Sequence, residues 1–579
     1  MNLQGIAAAP GIAMGPAFIL QQDNSIVEKY NIDEAELEAE TKRFEAKVNV
    51  AIEQLQQLIE TTRHNIGDEK AKIFETHIFL LEDEELVGAA KEAILAERIN
   101  AEAALDGAAQ AIIAMFESME DENLRERAAD IRDVTSRVMR LLKGQDDSAL
   151  TAIQEPVVLI AHDLTPSDTA QLNRNKTVGF ITEIGGKTSH SAIMARSMQI
   201  PAVVGLRDAG TQVQSGDYVI LDGNRGVVLV NPGPEMINHY KQLQRKDEAR
   251  QAELRRFMER PSVTADGHKV ELAANIGNPK DAFAAKGNGA EGIGLYRSEF
   301  LYMGRNDLPT EDEQYQAYKV VAEMFGQEQP VVIRTLDIGG DKELPYLSLP
   351  EEANPFLGYR AIRLCLDQVE LFKTQLRAIV RASAFGNIKL MYPMIATLQE
   401  LRQANALLNE VKAGLEQENI AFNRQMEVGM MIEVPGAAII ADQLAKEVDF
   451  FSIGTNDLVQ YVMAADRMNE RVSYLSEPLQ PAVLRIIKQV IDAAHARGKW
   501  VGMCGEMAGN LTAVPILLGM GLDEFSMGGG SVLPVRALLN KLRYSEMRAL
   551  AEEVLELVSS EEIRSYVESN VPAIAELNE

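Results

Sequence analysis

Gly429-Met430-Met431-Ile432-Glu433-Val434-Pro435 and, one helical stretch further on, Phe451-Ser452-Ile453-Gly454-Thr455-Asn456-Asp457 share one plan: a short apolar β-type run that stops at a carboxylate. The plan recurs outward in both directions. Candidate strands fall at 270–276, 292–297, 331–337, 388–394, 427–434, 450–455, 500–504 and 524–527, and most of the gaps can hold a helix. Buried strands alternating with helices are the mark of βα units, and eight of them over roughly 300 residues predict a (β/α)8 TIM barrel. Active sites of that fold lie at the C-terminal ends of the strands. There the sequence places Asn275, Arg297, Arg334, Asp337, Glu433, Asn456, Asp457, Cys504 and Glu506.

These residue types suit phosphoryl chemistry. Arg297 and Arg334 carry planar guanidinium forks that match phosphate, and Arg360 and Arg363, three apart on an expected helix, can add to a phosphate or carboxylate clamp. Glu433 and Asp457 on adjacent strand ends suit a magnesium ion that keeps some of its waters. A carboxylate pair for acid–base hydrolysis is the competing reading, but Trp500 is the only tryptophan and no sugar-binding aromatic cluster supports it. Cys504, between Gly502 and Gly505, is an acid, a nucleophile or an inert buried thiol. Cys365, on an apolar helical stretch, reads as an inert one.

Upstream of the barrel, residues 235–260 are polar and read as a solvated linker helix. Short strands are expected at 157–161, 178–181, 202–204, 218–221 and 227–230, with a helix over 191–198. Residues 1–20 are apolar but broken by Gly5, Pro10, Gly11, Gly15 and Pro16, and read as a first strand pair that rejoins this α/β unit. Between them, 34–62, 68–81, 101–116 and 124–142 each carry one apolar stripe, the pattern of a helical bundle inserted into the α/β unit, with Gly144 ending the last helix. The expected division is therefore 1–20 with 146–233, 21–145, 234–260 and 261–579.

The α/β unit holds Gly185-Gly186-Lys187-Thr188-Ser189-His190-Ser191-Ala192-Ile193-Met194-Ala195-Arg196. Two glycines let the backbone turn tightly against an anion. Thr188 and Ser189 can cap the following helix, whose free N–H groups favour phosphate. A neutral imidazole at His190 could attack phosphorus. By itself the segment is equally a capped helix with a surface histidine.

The 579 residues include 46% apolar ones, enough for large cores, and no run of about 18 apolar residues that would span a membrane. Two distant cysteines exclude a disulfide framework and, with no basic leader, point to the cytoplasm. A net charge of −29 disfavours nucleic acid and anionic membranes, and leaves room for a basic protein partner.

The segment around His190 resembles the phosphohistidine segment of the family that contains enzyme I of the sugar phosphotransferase system, pyruvate phosphate dikinase and phosphoenolpyruvate synthase. Within that family the resemblance to enzyme I runs from Gly5-Ile6-Ala7-Ala8-Ala9-Pro10-Gly11 to the end of the barrel. It implies transfer of phosphate from phosphoenolpyruvate to His190, then to a histidine-containing phosphocarrier protein, with pyruvate released. It puts the phosphoenolpyruvate-binding arginines at Arg297, Arg334 and Arg467, with Asn456 beside them, the Mg2+ ligands at Glu433 and Asp457, the proton donor at Cys504, and a residue that bonds the histidine at Thr169; Arg360, from the clamp above, and Asp457 are added to the expected substrate-binding set. It also implies a homodimer formed through the barrel. The carrier is expected to dock on the acidic bundle, around Asp68, Glu69 and 82–85. Lys187, Ser298, Gly436, Val459 and Met468 depart from the family's usual residues beside these positions. A dikinase would need an ATP-grasp domain where residues 31–145 form the bundle; a nitrogen-signalling paralogue would carry an added sensory domain.

Overall fold

The computed structural model describes residues 1–20, 27–65, 68–117, 122–144, 150, 153–173, 175–186, 189–198, 200–303, 305, 307–340, 344, 346–347, 349–350, 352–467 and 469–578. They form two compact units, Met1–Glu248 and Ala249–Glu579.

The first unit opens with β1 (Asn2–Gln4), β2 (Ile6–Ala9) and β3 (Ile12–Leu20). The bundle follows: α1 (Leu37–Asn65), α2 (Asp68–Glu82), a π-helical turn at Glu84–Gly88, α3 (Ala89–Glu97), α4 (Ala101–Glu117) and α5 (Glu122–Leu142). Its core is the stripe read from the sequence, with Phe44, Ala51, Leu55, Leu105 and Val138 fully buried. α3 was not anticipated; its stripe rests on Ala90 and Ile94 alone. Gly144 takes φ +73° just past α5, a left-handed stop that suits glycine.

The chain then returns through β4 (Val157–Ala161), α6 (Pro166–Gln171), β5 (Thr177–Thr182), α7 (His190–Met198), β6 (Ala202–Val204), α8 (Ala209–Gln212), β7 (Tyr218–Asp222) and β8 (Val227–Val230). One eight-stranded sheet results, in the order β1-β8-β7-β3-β4-β5-β6-β2. The expectation of an N-terminal strand pair is corrected here. β1 pairs with β8, β2 with β6, and β3 with β4 and β7, so none of the three pairs with another. The breaks at Gly5 and Pro10-Gly11 send successive strands to opposite edges and to the centre of the sheet. Apolar clusters cover both faces, around Leu159 and Phe180 on one and Val158 and Ile181 on the other. α9 (Pro234–Arg255) follows, with Tyr240 its one buried side chain.

The second unit is a closed parallel barrel of β9 (Glu271–Ile276), β10 (Ile293–Arg297), β11 (Pro330–Arg334), β12 (Asn387–Tyr392), β13 (Val428–Ile432), β14 (Phe450–Ile453), β15 (Trp500–Met503) and β16 (Glu524–Met527). Side chains alternate along each strand, as a period of two requires. Leu295, Val332, Met391, Met431 and Phe450 pack with Cys504 in a small cluster. Their neighbours Tyr296, Ile333, Tyr392, Ile432 and Phe451 join the large core with the surrounding helices. No described helix is long and apolar enough to cross a membrane.

Candidate active site

Five of the eight barrel strands deliver polar groups at their C-terminal ends to one place. Arg297 ends β10 and Arg334 ends β11; Glu433 follows β13, Asn456 and Asp457 lie in the helix after β14, and Cys504 follows β15. With Glu299, Asp337, Arg360, Arg467 and Glu506 they line a cavity of about 270 Å3. Of the barrel residues singled out from the sequence as substrate, metal or proton-transfer groups, Arg297, Arg334, Arg360, Glu433, Asn456, Asp457, Arg467 and Cys504 are brought together here, and Arg363 is not.

The arginines are held by buried carboxylates. Arg334 donates to Glu299 at 2.5 Å and pairs with Asp337 at 2.9 Å. Asp337 turns its other oxygen to Arg360, at 2.8 Å. Burial alone would lower the pKa of both guanidiniums, but the carboxylates around them raise it above the usual arginine value. Both remain charged. Arg360 also reaches Asp457 at 3.5 Å. Gly339, at φ +108°, is required for this: a Cβ there would lie 2.5 Å from that of Arg360. Glu299 and the bridging role of Asp337 were missed in the sequence, although both stand beside arginines that were noted. Arg363 lies apart, donating to the carbonyls of Leu357 and Gly358.

Glu433 and Asp457 are 1% and 8% exposed. Glu433 Oε1 accepts the Met394 N–H at 2.6 Å. Burial, then the charges of Asp457 and Asp337, push the Glu433 pKa upward. Asp457 Oδ1 is buried without a hydrogen bond. Two crowded, under-satisfied carboxylate groups are a donor set that a divalent cation fits. Among the described residues no three His, Cys, Asp or Glu side chains converge as a complete metal cage.

Cys504 is 3% exposed, and burial pushes its thiol up to about 11. At neutral pH it holds a proton, which makes it an acid rather than a thiolate nucleophile. Gly505 beside it serves packing: a Cβ there would lie 1.7 Å from Thr455 Oγ1. Cys365 is fully buried and its thiol is likewise pushed up, in keeping with an inert role.

In the first unit, His190 begins α7. Ser189 Oγ accepts the Ala192 N–H at 3.4 Å and donates to the Gly186 carbonyl at 2.8 Å, so it caps the helix. Gly185 takes φ +108° in the preceding turn. Lys187, Thr188, Met468 and the side chains of His190, Asp68 and Glu69 lie outside the described residues. Thr169 is buried in α6, its hydroxyl donating to the Thr165 carbonyl at 3.1 Å.

Three family descriptions match the chain: PEP-utilising enzyme, N-terminal, over 4–127; PEP-utilising enzyme, mobile domain, over 153–226; and PEP-utilising enzyme, PEP-binding domain, over 251–544. Proteins named phosphoenolpyruvate-protein phosphotransferase are similar to it along nearly their whole length. That of Geobacillus stearothermophilus is 57% identical over 98% of this chain and 97% of its own. That of Bacillus subtilis (strain 168) is 53% identical over 98% of this chain and 99% of its own, and that of Listeria monocytogenes 54% over 98% and 99%.

Proposed function

The chain belongs to the PEP-utilising enzymes, in the branch of the phosphoenolpyruvate-protein phosphotransferases, and from that premise we propose how its residues divide the reaction. His190 takes the phosphoryl group of phosphoenolpyruvate and passes it to a histidine-containing phosphocarrier protein; pyruvate leaves. One observation carries this reading: four arginines, the carboxylates of Glu433 and Asp457 and the thiol of Cys504 line one cavity at the barrel mouth.

Phosphoryl transfer asks for placement and charge neutralisation more than for covalent help from the site. Arg297, Arg334, Arg360 and Arg467, with Asn456, bind the phosphate and carboxylate of phosphoenolpyruvate. The ion pairs to Glu299 and Asp337 fix the two buried forks in advance, so little reorganisation is needed when charge shifts. Glu433 and Asp457 would hold Mg2+, which when bound would supply neutralisation of charge on the phosphoryl oxygens. The imidazole of His190 attacks phosphorus; the P–O bond to the enol breaks; Cys504 gives its proton to the enolate carbon. Ser189 caps α7 and keeps its N-terminal dipole directed at the new phosphate. Thr169 orients the histidine.

His190 and the barrel mouth belong to different units, so the proposal includes a swing about α9 and the turn near Gly144. The division proposed is 1–20 with 146–233 for the phosphohistidine, 21–145 for carrier docking, 234–260 as linker, and 261–579 for phosphoenolpyruvate and homodimerisation, in the cytoplasm. Carrier docking on the bundle is supported by Phe79, 70% exposed on α2, just ahead of the exposed acidic run 82–85. An apolar anchor followed by a run of acids suits a basic protein face, and the charges would mainly speed encounter.

The test is incubation with labelled phosphoenolpyruvate and Mg2+. An acid-labile, base-stable label is expected on the wild type and none on His190→Ala. A label that persists in the variant overturns the assignment.

A further inference from the structure

Two side chains that do not line the cavity touch the arginines that do. Phe356 sits half-buried in the turn Pro355–Leu357, downstream of β11. Its ring has the Arg360 guanidinium carbon 5.8 Å from its centroid and that of Arg467 at 5.6 Å. One aromatic ring thus serves two cations from distant parts of the chain, at a range where its quadrupole attracts each. Tyr461, on the helix Thr455–Met463, completes the arrangement. Its hydroxyl accepts from Arg360 Nη1 at 3.2 Å and donates to the Phe356 carbonyl at 2.5 Å. The backbone leaves space for the ring: a Cβ on Gly340, which takes φ +72°, would stand 3.1 Å from it.

Two guanidiniums converging on one cavity repel each other. Asp337 and Asp457 offset that charge for Arg360 on its carboxylate side. Phe356 adds an attraction without a further negative charge, which would compete with an anionic substrate for the same forks. A neutral ring with a negative face attracts cations without itself accepting from their N–H donors.

We propose that Phe356 and Tyr461 are positioning residues that aim Arg360 and Arg467 at the phosphate and carboxylate of the substrate, and so set its affinity. This rests on the reading of the barrel mouth as the phosphoenolpyruvate site. Neither residue touches the reacting atoms, so loss of either weakens ground-state and transition-state binding alike.

The experiment measures steady-state transfer from phosphoenolpyruvate through His190 to the histidine-containing carrier protein in excess, together with the Kd of phosphoglycolate, an unreactive anion bearing one phosphate and one carboxylate. F356L keeps apolar bulk and removes the quadrupole. It is expected to raise KM and the phosphoglycolate Kd by about 5- to 30-fold, with kcat within about twofold of wild type. F356Y keeps the ring and should stay within about twofold on every measure. Y461F removes one oxygen and should raise KM by about 3- to 10-fold. Because the two act through the same arginine, the double variant should lose less than the product of the single effects. Unchanged KM and Kd in F356L, loss in F356Y equal to that in F356L, or loss of kcat at constant KM would each overturn the proposal. If F356L does not fold, Y461F and F356Y decide, and wild-type affinity in Y461F overturns it. A wild-type chain that fails to bind phosphoglycolate instead counts against the site itself.

Discussion

Asp133 on α5 accepts the backbone N–H of Ser167 on α6 at 3.1 Å, with both residues buried. Ser167 is in the first turn of α6, where the helix supplies no partner for that donor. The last helix of the bundle therefore holds the helix that carries Thr169. Asp133 also faces the buried His77 at 3.9 Å and offsets the buried Arg137. Removing its carboxylate leaves a buried donor unmet, at about 1–3 kcal/mol. Asp133→Ala should speed hydrogen exchange at the Ser167 amide by about 5- to 150-fold, and Asp133→Asn, which retains an acceptor, by less. Equal exchange in wild type and Asp133→Ala would show that the bond does not hold α6.

Arg334→Lys should not be tolerated. The guanidinium spans Glu299 and Asp337 with separate nitrogens, which a single ammonium cannot reproduce while still facing a phosphate. We expect kcat to fall by about 100-fold or more, as for other preorganised donors aimed at developing charge. Glu299→Gln keeps the fork in place but frees charge, and should cost less. Single-turnover phosphorylation of His190 separates the two; equal rates for wild type and Arg334→Lys would remove Arg334 from the reaction.

Glu433→Gln and Asp457→Asn should each raise the Mg2+ concentration for half-maximal activity by about tenfold or more, since each removes one of two charged ligands. Chelation should abolish His190 labelling, and added Mg2+ should restore it. A Mg2+ titration that is superimposable on that of wild type in both variants would move the metal elsewhere.

The barrel was legible because its strands are short apolar runs, spaced by stretches that can hold helices and closed by polar residues. The run expected at 388–394 is β12, Asn387–Tyr392, and that at 450–455 is β14, Phe450–Ile453. The convergence of Arg297, Arg334, Glu433, Asp457 and Cys504 then followed from strand ends in a closed barrel. What holds those groups was not legible. Glu299 meets Arg334 across 35 positions, and Tyr461 meets Arg360 across 101. Such pairings are made by loops and helix ends, which impose no period on the sequence. α3 was lost for the opposite reason: its apolar stripe is too short to register.

The pair His495–Asp523 gives the barrel a pH-dependent stability that can be worked out in sign. His495 ends the helix Pro481–His495, and its Nε2 lies 2.8 Å from Asp523 Oδ2. The same oxygen accepts the Val501 N–H at 2.8 Å, so the carboxylate stays in place whether or not the imidazole is charged. The hydrogen bond to Asp523 raises the His495 pKa above its ordinary 6.5, against a smaller opposing effect of burial; the charges of Asp523 and Asp492 add to it, and Lys488 opposes it. The folded state thus binds the proton more tightly than the unfolded chain. The stabilisation is complete below the unfolded value near 6.5 and is lost as pH rises through the raised folded value. The imidazole is 39% and the carboxylate 40% exposed, so solvent screens the pair and holds its contribution below about 1 kcal/mol. The helix C-terminus favours the same charged form. His495→Gln should therefore lower the urea midpoint of the barrel transition at pH 5.5 and leave it close to wild type at pH 8.5. A difference of equal size at both pH values would assign the effect to packing.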